Sequence, residues 1–348
     1  MTSPKQLSPS LLPFELVEKI LYRTPIEALF RFKSVSKQWY ALFNDKIFRY
    51  KHFDLSHERF MLVHHKSFQL SNLENQAFLC RQTPDELHNY NIVNTFHCDG
   101  LLLCTCRERG ILGETTTKLA VLNPVFSRIK WIQLSSSSKH YDFYGVGYDN
   151  VSRDKYKILR IGFGTSRYDI NRDVEIYEFE SKLWRSINAT LECSPPTRCV
   201  SMNGNMYWIA REKMMAGSKI ESFDFSTETF KPICCVPNGT DCSYGGGLSS
   251  FGGDRLSLLH RDEHVKKIEL WFTSKLTDDG IVSWSKYFDA TPDPLTEISL
   301  SLKTFIVKTN NKITIMLWSS DIDFKDRVVY TGVYEMGDEG ETKKQVER

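Results

Sequence analysis

No stretch of this 348-residue chain approaches the 18 or more consecutive apolar residues of a membrane-spanning helix. The opening residues, MTSPKQLSPSLLPF, lack the charged and apolar regions of a secretory signal. The expectation is a protein of the cytoplasm and/or nucleus with no membrane partner. A dominant charge of one sign is also missing: a formal net charge of +2 excludes the strong basic field of a general nucleic-acid binder, so no nucleic-acid partner is expected. Nine cysteines are present but none forms a CxxC pair, and Cys98, Cys104, Cys106, Cys234, Cys235 and Cys242 offer no zinc-site spacing. Reduced, mostly buried thiols are expected.

Catalytic patterns are equally scarce. There is no HExxH, Walker loop or GxSxG elbow. His64 and His65 are adjacent, so in a strand they point to opposite faces and make poor joint metal ligands. The glycine-rich stretches GFGTSRYD and YGGGLSSFGG do not have the form of a phosphate loop opening a helix and read as turns. No catalytic residue, metal or cofactor is expected, and no substrate-binding residue can be named.

What the sequence does contain begins at Leu12. From there to Phe43 it reads as three short helices. Leu16, Val17, Ile20 and Leu21 form two i, i+4 pairs that place four apolar side chains on one face of the first. That helix ends before Pro25, because a residue preceding proline is pushed out of the α region. Thr24-Pro25-Ile26-Glu27 has the form of a capping box that starts the second helix, with a capping hydroxyl, a proline at N1 and a carboxylate at N3. Val35, Trp39 and Phe43 lie at i, i+4, i+8 and read as the apolar face of the third. Helices this short, in roughly forty residues, need a further packing surface. By periodicity alone, that surface is either the rest of the chain or another protein. The first fifty residues carry a formal charge of +4, which suits either a solvated face or an acidic partner.

The order Leu12-Pro13, Glu15-Leu16-Val17, Ile20-Leu21, Arg23, Pro25, Leu29, Arg31-Phe32, Val35, Lys37 and Trp39 resembles the F-box, especially that of the large plant F-box families. The resemblance implies docking on the small adaptor of an SCF cullin-RING ubiquitin ligase and, through it, on the cullin and RING subunits. It also implies Leu12, Pro13, Leu16, Ile20, Pro25, Leu29, Val35 and Trp39 as the adaptor-facing residues. The chain departs from the family pattern at Thr24, where an aliphatic residue is common, and at Ser34 and Ser36, where cysteines are frequent.

After Glu58 the chain turns to short runs of β-branched and aromatic residues separated by Gly, Asn, Asp and Ser. VEIYEFESKLWRSI around Tyr177, IESFDFSTETFKPI around Phe223 and IELWFTSKL around Trp271 share one plan, with spacings of 46 and 48 residues. In each, a strand with a central aromatic is followed by a turn and usually by a second aromatic. LAVLNPVFSRIKWI around Leu122 repeats the plan 55 residues before Tyr177. Asn203-Gly204 and Gly252-Gly253 mark hairpins ahead of the later units. Four strands per unit is the arithmetic of a β-propeller blade, and five to seven blades are expected; the alternative is an irregular β-sandwich. Arg160, Arg167, Arg172, Arg211, Lys213 and Arg261 lie near strand ends, where they would line a rim able to read an acidic segment.

The stretch Cys98-Asp99-Gly100-Leu101-Leu102, Asn123-Pro124, Gly145-Val146-Gly147-Tyr148-Asp149 and the Tyr-x-Phe…Trp-Arg unit at 177–185 resemble the plant F-box-associated domain. Asp99 replaces a usual asparagine there. That resemblance implies a kelch-like propeller that binds a substrate protein.

The expected fold class is α+β multidomain, a three-helix F-box followed by an all-β domain. Its expected organisation is a disordered N-terminus at 1–10, the F-box at 11–48, a linker at 49–58, the β-propeller-like domain at 59–335 and a polar disordered tail at 336–348. The expected function is that of a non-catalytic substrate receptor of an SCF ligase. An F-box scaffold acting outside the ligase and, less favoured, a kelch-type enzyme are the alternatives.

Overall fold

The computed structural model describes the backbone of residues 12–32, 34–55, 59–64, 67–72, 77–81, 84–109, 115–123, 128–163, 172–196, 199–211, 217–237, 240, 242, 246–262, 267–277, 281–290, 303–309, 312–323, 328–336 and 342–347. The expected disorder at 1–10 lies outside the described residues. No helix among them is long and apolar enough to cross a membrane. The chain divides into two compact units, residues 1–83 with 124–127, and residues 84–123 with 128–348.

The first unit opens with four helices, not three: α1 (Phe14–Tyr22), α2 (Ile26–Phe32), α3 (Lys37–Asn44) and α4 (Lys46–Leu55). Most of the expected linker is therefore helix. Asp45 starts α4 by accepting the backbone N–H of Phe48 at 2.9 Å, an N-cap that satisfies one of the orphan donors of the first turn. The fourth helix provides the packing surface that three short ones lack, with Phe48 and His52 buried one turn apart. His52 Nε2 donates to the Thr24 carbonyl at 2.8 Å and ties α4 to the corner between α1 and α2. A three-stranded antiparallel sheet follows, β1 (Arg59–His64), β2 (Ser67–Asn72) and β3 (Ala77–Arg81).

Thr24 does not close the expected capping box. Its hydroxyl donates backwards to the Ile20 carbonyl at 2.9 Å and so satisfies one of the orphan acceptors at the end of α1. The third helix has the cap that sequence reading overlooked, Ser36 Oγ accepting from Trp39 N at 3.1 Å. Val35 consequently lies outside α3, whose inner face carries Trp39, Leu42 and Phe43.

The second unit is a succession of antiparallel four-stranded meanders. The first is β4 (Asn91–Cys98), β5 (Leu101–Arg109), β6 (Thr115–Asn123) and β7 (Arg128–Ile132). The second is β8 (Phe143–Asp149), β9 (Ser152–Ile161), β10 (Val174–Glu178) and β11 (Leu183–Ser186). β12 (Cys199–Met202), β13 (Asn205–Arg211), β14 (Ser218–Asp224) and β15 (Thr229–Cys235) form the third. β16 (Gly246–Phe251), β17 (Arg255–Asp262), β18 (Lys267–Thr273) and β19 (Trp284–Ala290) form the fourth. The last contains β20 (Lys303–Thr309), β21 (Lys312–Asp323), β22 (Val328–Met336) and β23 (Thr342–Glu347). β23 falls in the tail expected to be disordered, where it pairs with β22 from Met336↔Thr342 onward.

These are propeller blades and not the two packed sheets of a sandwich. Runs such as Phe143–Tyr148 and Leu256–Arg261 are buried at every position, so both faces of a sheet must be covered by neighbours. First strands of neighbouring blades, β4 with β8, β12 with β16 and β16 with β20, approach within 8 Å between Cα atoms. Phe223, Phe225 and Trp208 are fully buried between blades, each contributing about 1.5–3 kcal/mol by area transfer.

Each repeat read from the sequence falls on the same place in its blade. Leu122, Tyr177, Phe223 and Trp271 lie on third strands, and Trp131, Trp184, Phe230 and Trp284 on fourth strands. The second aromatic is a latch between blades. Trp184 Nε1 donates to the Gln133 carbonyl at 2.7 Å, and Trp284 Nε1 to the Cys235 carbonyl at 2.8 Å; each acceptor sits at the end of the preceding blade's fourth strand. Phe230 has no such donor and packs on Phe223 and Trp208.

The tight turns between first and second strands follow the dipeptides. Asn203 and Gly204 have φ of 51° and 79°, the mirror-image turn for which Asn-Gly is selected. Asp99-Gly100 makes the same turn at 46° and 76°. Gly147 is required by close approach, since a Cβ there would meet the Gly204 carbonyl at 2.2 Å.

Buried charge adds a second kind of fastening. The fully buried Arg160 on β9 bonds Asp142 at 2.7 Å, Glu175 at 2.7 Å and the Ser137 carbonyl at 2.6 Å. Between blades, Glu228 accepts from Lys157 at 2.8 Å and from both Nη atoms of Arg185. Burial opposes the Glu228 charge, but the hydrogen bonds from Arg185 and Lys157 outweigh it and hold the carboxyl below its usual range. Glu269 behaves alike: burial disfavours the anion, while hydrogen bonds from Lys286, Lys267 and Trp271 hold its carboxyl at about 2.

Two outcomes follow from these contacts. Trp184→Phe and Trp284→Phe should each cost about 0.5–1.5 kcal/mol, the net worth of one hydrogen bond, and the costs should add in the double variant because the latches are remote; urea titration measures both. Glu269 is depressed on folding, so its contribution is complete above the unfolded carboxyl pKa of about 4.3 and is lost as pH falls toward about 2. Denaturation midpoints recorded from pH 6 to pH 2 should fall less steeply for Glu269→Gln than for the wild type.

Candidate functional site

The helical module has an inside built of aromatic side chains. Leu21, Tyr22, Leu29, Phe43 and Phe48 are buried, with Val17, Phe32, Trp39 and Leu42 packed against them. Tyr22 stacks on Phe48 at 4.8 Å between centroids, and Trp39 meets Phe32 and Phe43 edge-on at 5.6 and 6.1 Å. The Tyr22 hydroxyl donates to Glu18, and burial together with that carboxylate pushes the phenol up to about 12.

The eight positions implied as docking contacts separate into two groups. Leu12, Leu16, Ile20 and Val35 are exposed by 46–61%, and Pro13 and Pro25 are exposed as well. Leu29, at 6%, belongs to the core, and Trp39 is half-buried against it. Those two support the face from within. The expected single apolar face of α1 divides likewise: Val17 and Leu21 turn inward, while Leu16 and Ile20 turn outward with Leu12 one turn before them.

Tyr40, Ile47 and Leu55, which the sequence does not single out as docking contacts, are exposed as well. Their signal was present in part, since Tyr40 directly follows the inward Trp39 and Ile47 directly precedes the inward Phe48. The surface around the apolar set is basic. Lys19, Arg23, Arg31, Lys37 and Arg49 are exposed against the one exposed glutamate of α1, Glu15, while the Glu18 and Asp45 carboxylates are occupied by Tyr22 and by the backbone of α4.

In the bladed unit, the rim expected from its arginines is not assembled as read. Arg160, Arg172 and Arg261 are buried, and Arg160 is held by two carboxylates of its own blade. Arg211 is exposed, and Arg167 and Lys213 lie outside the described residues. The sequence shows charge beside a strand end but not the partner carboxylates 15 and 18 positions away.

No group of three or more His, Cys, Asp or Glu among the described residues is placed to hold a metal ion. Cys98, Cys104 and Cys106 are buried thiols; burial pushes Cys98 up to about 12 and Cys106 up to about 11. A nucleophilic cysteine requires the opposite shift.

Fold and surface define a two-part protein, a helical module with an outward apolar set followed by a bladed β domain. Residues 9–51 match the family model of the F-box domain, and residues 51–347 that of the F-box associated beta propeller domain. A putative F-box protein of Arabidopsis thaliana is 40% identical over 97% of this chain and 91% of its own length. A second F-box protein of that plant is 42% identical over 100% of this chain and 93% of its own. The Arabidopsis F-box/WD-40 repeat-containing protein 1 is 36% identical, covering 97% and 83%. The chain belongs to the family of F-box proteins that carry an F-box-associated β-propeller. The two matches meet at residue 51, inside α4.

The inward and outward positions should respond differently to substitution. Trp39→Ala should cost about 3–5 kcal/mol and melt the helical module, whereas Leu16→Ser with Ile20→Ser should leave its stability within about 0.5 kcal/mol. Far-ultraviolet circular dichroism of the full chain, followed through thermal unfolding, distinguishes the two.

Proposed function

We propose that this chain is the substrate-recognition subunit of an SCF cullin-RING ubiquitin ligase, acting in the cytoplasm and/or nucleus. One observation carries the reading: Leu12, Leu16, Ile20 and Val35 stay exposed on a module whose core is already closed by its own four helices. Large apolar side chains held outward without an internal role are what an interface leaves visible on a free subunit. The adaptor partner would cover them, with Leu29 and Trp39 fixing the helices behind. The exposed lysines and arginines around them favour an acidic adaptor surface and faster encounter.

The propeller would hold a target protein while the adaptor, cullin and RING subunits bring the ubiquitin-loaded enzyme. The chain itself contributes no reacting group. Its effect is proximity, which replaces a bimolecular encounter by a local one of high effective concentration.

Co-purification of the recombinant adaptor with the full chain tests this. Wild type should retain the adaptor, and Leu12→Ala with Pro13→Ala should lose it by tenfold or more while the β domain keeps its melting transition. Unchanged affinity in the double variant overturns the contact assignment. Adaptor binding without any dependence of target turnover on the cullin would favour a scaffold outside the ligase, and a stoichiometric transition metal in elemental analysis would favour an enzyme.

A further inference from the structure

The buried Arg160 also fixes what lies above it. Asp142 accepts from Arg160 Nε at 2.7 Å, from the Lys139 backbone N–H at 2.7 Å and, through its other oxygen, from the Phe163 backbone N–H at 2.8 Å. One carboxylate thus clamps the β7–β8 connection to the residues that follow β9. The side chains beside the clamp point outward: Tyr141 is 66% exposed and Phe163 38%, with ring centroids 5.8 Å apart. Arg107, near the end of β5, lies over the Tyr141 ring at 5.8 Å and reaches the His140 carbonyl at 3.5 Å. His140 also contacts the Thr117 hydroxyl at 3.4 Å. All these residues lie at the end of the sheets opposite the tight Asp99-Gly100 and Asn203-Gly204 turns, where the connections are long.

We propose that Arg107, Tyr141 and Phe163 form a recognition site for a target-protein segment that presents an apolar side chain beside a carboxylate. The proposal rests on the receptor reading above and gives its β domain a site. Exposed aromatic rings held rigidly beside an arginine have the composition of an interface hot spot, with little ordering entropy left to lose. Charge selects the partner's sign. Arg107 and Lys139 are cationic, and the single negative charge left over when Arg160 pairs with both Asp142 and Glu175 is outnumbered by them. Asp173, whose carbonyl accepts from Gly162, adds an exposed carboxylate, which the neighbouring Arg172 offsets. An acidic segment is therefore attracted to this end, and its apolar residue covers the Tyr141–Phe163 pair.

The test is selection of a random peptide display library on the full chain bound to its adaptor. Peptides pairing Phe, Leu or Tyr with Asp or Glu should be enriched, and their binding should weaken as salt rises. Tyr141→Ala and Arg107→Glu should each lower the affinity of the selected peptides tenfold or more. Arg107→Lys should keep part of it. Tyr141 is largely exposed, so its removal should leave the melting transition in place, and Phe163→Glu gives an independent second variant. Enrichment of basic peptides, enrichment of none, or affinity unchanged in the variants overturns the site. Adaptor retention is read on the same samples. Loss of retention in the wild type would defeat the receptor reading, whereas intact retention with variant-insensitive peptides defeats only this site.

Discussion

Arg160 sits at 0% exposure between Asp142 and Glu175, and much of the second blade is arranged around keeping it there. Three charges taken out of water cost several kcal/mol each, and they repay that only if geometry and remaining hydrogen bonds are satisfied. Glu175 is its direct cross-strand neighbour, and Asp142 reaches in from the preceding connection. The Ser137 carbonyl takes a further guanidinium hydrogen. Because a missing partner would leave an uncompensated buried charge, the loop cannot drift without a large penalty. A long connection that would otherwise be mobile becomes as well positioned as a strand.

The helical module solves a different problem. Three short helices cannot enclose a core, and α4 completes it with Phe48 and His52. Its completion is what gives the outward side chains meaning: once the inside is full, Leu16 and Ile20 are not needed there. A single helix, α1, therefore serves two surfaces, with Val17 and Leu21 on one and Leu16 and Ile20 on the other.

The sequence made much of this legible and concealed the rest for physical reasons. The blade repeat could be read because third strands carry a central aromatic and Asn-Gly or Gly-Gly turns require positive φ. β4 is hard to read because the polar residues of NIVNTFHC, Asn91, Asn94, Thr95 and His97, do not alternate with its apolar ones, and few of its side chains are buried. α4 was hidden because, among its described side chains, the buried ones are one phenylalanine and one histidine, which gives a weak apolar period in KIFRYKHFDL. Val35 looked helical by spacing, yet the Ser36 cap places it outside the helix. Of the eight expected contacts, the sequence could not separate those facing out from Leu29 and Trp39, since the residue types that fill a core and those that fill a partner's pocket are the same. The rim arginines failed for the converse reason, as ion pairing depends on which carboxylates the fold brings near.

The indole latches donate to backbone carbonyls, those of Gln133 and Cys235. A main-chain oxygen is present whatever residue occupies the position. At these two seams the acceptor side therefore places no demand on the side-chain identity of the preceding blade, whereas the contact of Glu228 with Lys157 and Arg185 ties the second and third blades through side chains on both. A propeller fastened in this way can diversify its outer connections at a latched seam while its blades stay joined.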